Sequence, residues 1–271
     1  MGLVMCIGRF RRLSGQRDDG GVIIPKSPAE IDKMARAGEI LAGCLDALSK
    51  AVEPGIRTIE LDALAEKYIR ARGGIPSFKG YRGFPGSICV SPNDMVVHGI
   101  PGDTRLAEGD ILGLDVGVTL DGYIADSAVT LPVGGASEEA ERLMRATEEA
   151  LEEALKLCVP GCRVGDLGHA VQAYVEERGF SVVRTLVGHG IGTSMHEDPQ
   201  VPNFGKLGQG PRLNEGVVLA IEPMVNAGSY EVRTADDGWA VFTEDRSLSA
   251  HFEHTVALTA DGPRILTGRA Y

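Results

Sequence analysis

Five ionisable residues constrain this chain more than anything else in it. Asp115, Asp126, His189, Glu222 and Glu253 each lie at the end or the turn of a short apolar or glycine-rich run that reads as strand. Runs of that kind form cores, so the fold must bring four carboxylates and one imidazole against an interior. Such a cluster is stable only if cations neutralise it.

The first pair can be placed by arithmetic. From Ile111 to Thr130 two alternating runs flank Asp121-Gly122, a hairpin signal. With Leu120 and Asp121 in the loop, Asp115 and Asp126 face each other; with Asp121 and Gly122 in the loop, they are diagonal neighbours. Either register sets both carboxylates on one face, roughly 5 to 8 Å apart. Gly113, Gly117 and Ala128 share that face, while Leu112, Leu114, Val116 and Val118 point the other way. One side therefore packs and the other has room for a ligand. Taken alone, the two aspartates read as a solvated strand face, and it is the other three residues that change the reading. His189 sits in Gly-His-Gly-Ile-Gly, where glycine lets the backbone approach a ligand closely. Glu222 ends Val-Val-Leu-Ala-Ile and precedes Pro223, which stops the ladder there. Glu253 alternates with His251 and Thr255 along one face of a strand, with Phe252 and His254 on the other.

Oxygen-rich ligation with a single imidazole suits Mn, Fe, Co or Zn, whereas a closed structural zinc site would use cysteine. Four carboxylates balance two divalent ions, and shared carboxylates hold a metal pair roughly 3.5 to 4 Å apart for hydrolytic chemistry.

The chain also repeats itself. A shift of 106 residues carries Pro54, Gly55, Arg57, Leu61, Tyr68, Arg72 and Gly73 onto Pro160, Gly161, Arg163, Leu167, Tyr174, Arg178 and Gly179. In each copy Pro-Gly ends one helix, and in the first copy Leu61, Leu64, Ala65, Tyr68 and Ile69 give the next its apolar stripe. Each half reads helix, helix, strands, and the same shift brings Asp115 to within one residue of Glu222. The expected class is α+β, with helices on one side of a curved antiparallel sheet and the site in the cleft between halves. A single domain over residues 28–271, in halves of about 28–135 and 136–271, follows a basic tail over residues 1–27.

Six motifs occur in order from about Ile24 to the C-terminus: Ser-Pro-Asn-Asp-Met-Val-Val-His-Gly-Ile-Pro, Leu-Asp-Val-Gly, Asp-Ser-Ala-Val-Thr, Gly-His-Gly-Ile-Gly, Ile-Glu-Pro-Met and Phe-Glu-His-Thr-Val. In content and spacing they resemble type I methionine aminopeptidases of the M24 metallopeptidase family. The resemblance implies the pita-bread fold, two repeats with pseudo-twofold symmetry. It also implies two divalent ions (Co, Mn, Fe or Zn) held by Asp115, Asp126, His189, Glu222 and Glu253. Glu222 would double as general base, His196 would contact the scissile amide, and His98 would stand beside the substrate to help transfer protons. Tyr81, Phe84, Cys89 and Trp239 would line the methionine pocket, with Phe78 and Met195 at neighbouring positions. Relatives often carry cysteine and phenylalanine at those last two positions. The implied activity is removal of the N-terminal methionine from nascent proteins and peptides, favouring small second residues, by attack of a metal-bridging hydroxide. The implied state is a cytoplasmic monomer. Proline-specific peptidases share the fold and metal site but carry a large domain ahead of it, and type II relatives insert a helical segment between the last two ligands. The stretch from Glu222 to Glu253 has no space for that insertion. A catalytically dead binding module would have lost ligands, and all are present.

The remaining composition agrees. With 27 Lys and Arg against 38 Asp and Glu, the net charge of -11 argues against a nucleic-acid-binding body. Cys6, Cys44, Cys89, Cys158 and Cys162 lack zinc or redox spacing, which fits a reducing cytosol. No apolar run reaches membrane length. Arg9, Arg11, Arg12 and Arg17 make the tail basic, suited to transient contact with ribosomal RNA near nascent chains. Met1-Gly2 opens a myristoylation-like string that fails at Cys6.

Overall fold

Two helices open each half of the chain, and each is specified locally. The computed structural model describes residues 22–269, so the basic tail lies almost wholly outside the described residues. Helix α1 (Pro28–Ala51) starts with Pro28 at its first position, where a missing N–H costs nothing. Glu30 closes a capping box, accepting from the Ser27 amide at 2.8 Å and its hydroxyl at 2.7 Å. Ile31, Met34, Leu41, Leu45 and Leu48 are its buried stripe. After α2 (Thr58–Ala71) come β1 (Ile75–Pro76), β2 (Cys89–Pro92), β3 (Met95–Val97), β4 (Ile111–Leu120) and β5 (Tyr123–Pro132). The second half has α3 (Glu138–Lys156), α4 (Val164–Glu177), β6 (Ser181–Val182), β7 (Val187–Gly190), β8 (Glu197–Pro202), β9 (Val218–Ile221) and β10 (Met224–Asn226). It ends with β11 (Val232–Thr234), β12 (Val241–Thr243), β13 (Ser249–His251), β14 (His254–Thr259) and β15 (Gly262–Ile265). At α3 the Ser137 hydroxyl accepts from the Ala140 amide at 3.2 Å, and three glutamates occupy the first turn, where they complement the helix dipole.

The repeat is visible in matched hydrogen bonds. Gly55 N donates to Leu106 O at 2.7 Å, and Gly161 N donates to Leu213 O at the same distance. β1 pairs Ile75 with Thr119 and Pro76 with Val118; β6 pairs Ser181 with Asn226 and Val182 with Val225. The helical ends of these pairs are 106 residues apart and the strand ends 107, so one residue is inserted between them. That insertion explains the one-residue offset in the sequence and lands Asp115 on Glu222.

The β4–β5 hairpin turns on Asp121 and Gly122, at φ 50° and 81°, the left-handed pair that a tight two-residue loop requires. Leu120 therefore pairs with Tyr123 and Gly117 with Asp126, which settles the register in favour of diagonal aspartates. Leu112, Leu114, Val116 and Val118 are fully buried against the helices in the main core. The two half-sheets meet along β5 and β14. Glu253 N donates to Ala128 O at 2.9 Å, and the Thr255 hydroxyl both accepts from Asp126 N (2.9 Å) and donates to Asp126 O (2.7 Å). The Thr130 hydroxyl makes the same double contact with the His251 backbone, at 2.9 Å each way. Hydroxyls thus replace ladder bonds where the sheets curve apart, and the seam carries the site.

Candidate active site

Three of the five residues come to the cleft from within strands and two from strand ends or breaks. Asp115 and Asp126 stand on the open face of the β4–β5 hairpin. His189 lies in β7 opposite Ala220 of β9, and Glu222 follows β9 where Pro223 stops the ladder. Glu253 falls in the two-residue break between β13 and β14, where the chain passes between sheets. The alternating strand expected through this segment is thus interrupted at Glu253 itself.

Ligand-capable atoms of Asp126, His189 and Glu253 all lie within 4.8 Å of one another. His189 Nε2 is 3.6 Å from Glu222 Oε1. The His189 ring holds Gly190 O through Nδ1 at 2.9 Å, so its proton sits on Nδ1 and Nε2 offers a lone pair to the cluster. Asp115 neighbours Asp126 and the Cys89 thiol, with Cys89 directly opposite in the β2–β4 ladder. Among the described residues, Asp115 Oδ1, Asp126 Oδ1 and Glu253 Oε1 are buried with no hydrogen-bond partner. Burial pushes all four carboxyls upward, Asp115 to about 7, and for Asp126, Glu222 and Glu253 neighbouring acids add to it. Orphaned buried oxygens and crowded carboxyls beside an open imidazole nitrogen are what divalent cations would satisfy. The residues present fit such ions.

The aromatic wall is continuous with this cluster. The His196 ring lies 4.3 Å from that of His189, and its Nδ1 is 2.8 Å from the Tyr81 hydroxyl. Phe84 meets Trp239 edge-on at 5.1 Å, and His98 meets the same indole at 6.4 Å. His98 reaches in from a left-handed backbone, φ 62°, and burial lowers its pKa to about 4, which keeps the ring neutral. A Cβ at Gly117 would come within 2.8 Å of the Phe78 ring and 3.0 Å of Met195 Cε, so the floor between hairpin and pocket needs glycine. The candidate ligands, His98, His196 and the expected pocket residues thus form one connected set of contacts.

A further histidine, outside the expected site residues, faces the cluster. His251 is buried with Nε2 unpartnered, 3.8 Å from Glu222 Oε2 and 4.0 Å from Glu253 Oε2. Burial lowers its pKa to about 3. The signal was its place two residues before Glu253 on the same strand face.

The chain matches the model of metallopeptidase family M24 over residues 32–260. It is 54% identical over 246 residues to a methionine aminopeptidase of Clostridium perfringens, covering 91% of this chain and 99% of that one. A methionine aminopeptidase 1 of Bacillus subtilis is 53% identical with the same coverage. The crystal structure of methionine aminopeptidase from Rickettsia prowazekii superposes with a TM-score of 0.90 at 41% identity, covering 91% of this chain and all of that one. A prolidase from Pyrococcus horikoshii, 22% identical with a TM-score of 0.72, shares the fold and is longer, with 64% of its length covered. With the family's motifs on the strands and strand breaks that build this cleft, the chain belongs to metallopeptidase family M24, among the methionine aminopeptidases.

Proposed function

We propose that this protein removes the N-terminal methionine from peptides and nascent polypeptides in a reaction that requires divalent cations. The observation that carries the reading is the buried cluster of Asp126, His189 and Glu253 within 4.8 Å, set beside an aromatic pocket. Asp115, Asp126, His189, Glu222 and Glu253 would hold two ions, Co, Mn, Fe or Zn. Bound there, such ions supply Lewis acidity and the means to activate water at neutral pH.

The chain's own groups do the rest. Glu222, whose proton affinity is raised by burial and by the Asp115 charge, takes the proton of the attacking water and returns it to the leaving amine. With Tyr81 donating to His196 Nδ1, the neutral ring carries its hydrogen on Nε2, free to donate to the substrate amide. His98 offers a second neutral imidazole across the cleft. Tyr81, Phe84, Cys89 and Trp239 surround a flexible, polarisable methionine side chain, with Phe78 and Met195 at neighbouring positions against Gly117. A second substrate residue must pass between His98 and His196, so small ones fit and bulky or charged ones are refused by sterics and desolvation.

No described helix is long and apolar enough to cross a membrane. A cytoplasmic monomer, with the basic tail meeting ribosomal RNA where nascent chains emerge, completes the reading.

The test is hydrolysis of peptides beginning Met-Gly, Met-Ala, Met-Leu and Met-Lys, with and without a chelator. The first two should be cleaved faster, and all cleavage should stop on metal removal. Equal rates across the four, or faster cleavage of Leu-Ala than of Met-Ala, overturns the pocket assignment.

A further inference from the structure

The loop over residues 191–196, which carries Met195 and His196, follows the glycine-rich strand β7 and has Gly192 within it. Such a backbone has much conformational freedom to lose, yet His196 must be held to within a fraction of an ångström to act on a substrate. Part of the restraint comes from the segment ahead of α1. Lys26 is buried, its amide donating to Gly216 O at 2.7 Å. Its ammonium donates to Ile24 O at 2.8 Å and to Glu197 Oε2 at 2.6 Å. The side chains of this ion pair are only 6% and 16% exposed. The other oxygen of Glu197 accepts from Ser194 N at 3.1 Å, so one carboxylate adjacent to His196 ties the loop to the N-terminal segment and to itself. A Cβ at Gly192 would collide with the Lys26 methylenes, so the lysine lies flat against the loop backbone. Beside the ion pair, Ile124 N holds Gly192 O at 2.8 Å, and Met195 packs with Ile31, Met34, Ile124 and Ile191.

A buried ion pair is weak evidence for stability in itself, and its best-attested use is to fix one arrangement among several. We propose that Lys26 and Glu197 form a clasp that sets the position of His196, making a lysine ahead of the first helix a positioning residue for the reaction. This rests on the reading of His196 as the group that touches the substrate amide.

The test uses Lys26→Met and Glu197→Gln, singly and together, in the natural background and in His196→Ala. Readouts are kcat and KM on a Met-Ala peptide with the manganese-saturated enzyme, and manganese affinity by calorimetry. In the natural background each variant should lose kcat/KM on the order of tenfold, chiefly in kcat, as misplacement of a catalytic group does. Manganese affinity should stay within about twofold, and the double variant should lose no more than the worse single one, since coupled residues are not additive. In His196→Ala neither substitution should cost anything further. Unchanged rates in the single variants, a parallel loss of manganese, or the same tenfold loss repeated in His196→Ala overturns the clasp. If Lys26→Met does not fold, the near-isosteric Glu197→Gln carries the same comparison. A His196→Ala enzyme as active as the parent refutes the role of His196 and the clasp with it. An impaired His196→Ala enzyme with additive clasp variants refutes the clasp alone.

Discussion

Asp126 is the carboxylate whose loss should harm the proposed metal centre most. It belongs to the tight group with His189 and Glu253, adjoins Asp115, and has a buried oxygen without a partner. Replacing even an outer partner of a metal ligand costs about 10- to 100-fold in affinity or activity. Asp126→Asn, which removes the anionic charge and substitutes an amide, should lower divalent-ion affinity by more than that and leave almost no turnover. Calorimetric titration decides it, and unchanged affinity with near-normal turnover would sink the dinuclear assignment. His196→Ala should behave differently. Its ring stands 4.3 Å from the His189 ring and is engaged by Tyr81, so kcat and kcat/KM should fall together by on the order of 10²-fold with the metal retained. Metal loss instead would make His196 a ligand. The five candidate ligands stood out in the sequence because each charge interrupts an otherwise apolar or glycine-rich run, whereas His196, within Thr-Ser-Met-His-Glu-Asp-Pro, stood out only through the family resemblance. His251 did not, because a histidine in an alternating strand is unremarkable until Glu222 arrives from another strand to face it.

Elements were legible wherever the determinant is local. Ser27, Pro28 and Glu30 announce α1, and Asp121-Gly122 announces the β4–β5 hairpin, although two registers stayed open until the left-handed pair of turn residues decided between them. The break between β13 and β14 could not be read, because it is set by hydroxyls of Thr130 and Thr255 that bond across the seam between halves. The burial of Lys26 was hidden for a similar reason: its partner Glu197 is 171 residues away. Close backbone approach is likewise non-local, and it gives a test at this scale. A Cβ on Gly38 of α1 would run into the Leu266 carbonyl just past β15, a contact with backbone that has little room to yield. Gly38→Ala should therefore destabilise the protein by about 1 to 3 kcal/mol, despite the higher helix propensity of alanine. A lower urea midpoint at unchanged m value would show it. A stabilised variant would mean that the end of the chain is not seated on α1.

For the molecule as a whole, the site is a liability that cations remove, and pH exposes it. A carboxyl whose folded pKa is raised holds a proton that the unfolded chain has already released, so stability falls as pH climbs through that window. Asp115, raised to about 7, and Asp126, Glu222 and Glu253, raised above the usual range, all act in this sense. The buried histidines act oppositely. With His189 and His251 lowered to about 3 from 6.5, and His98 and His254 to about 4, their contribution is complete above pH 6.5 and is lost as pH falls below it. The two trends oppose each other in mild acid, the range in which Asp115 ionises on the approach to its pKa of about 7. Buried thiols add a decline of the same sign as the carboxyls near pH 9, with Cys44 raised to about 12 by burial, but they do so whether or not metal is bound. The difference between chelated and metal-loaded protein is therefore the informative quantity. Manganese at about 100 times its dissociation constant should stabilise the fold by ~2.7 kcal/mol. The gap in melting temperature between loaded and chelated protein, measured in matched buffers, should widen from about pH 5.5 to about pH 7.5 as ionisation of Asp115 leaves the empty cluster more strained. A gap that stays constant would mean that the four carboxyls are already solvated in the folded protein, and that cation binding is not what makes this charge cluster compatible with a core.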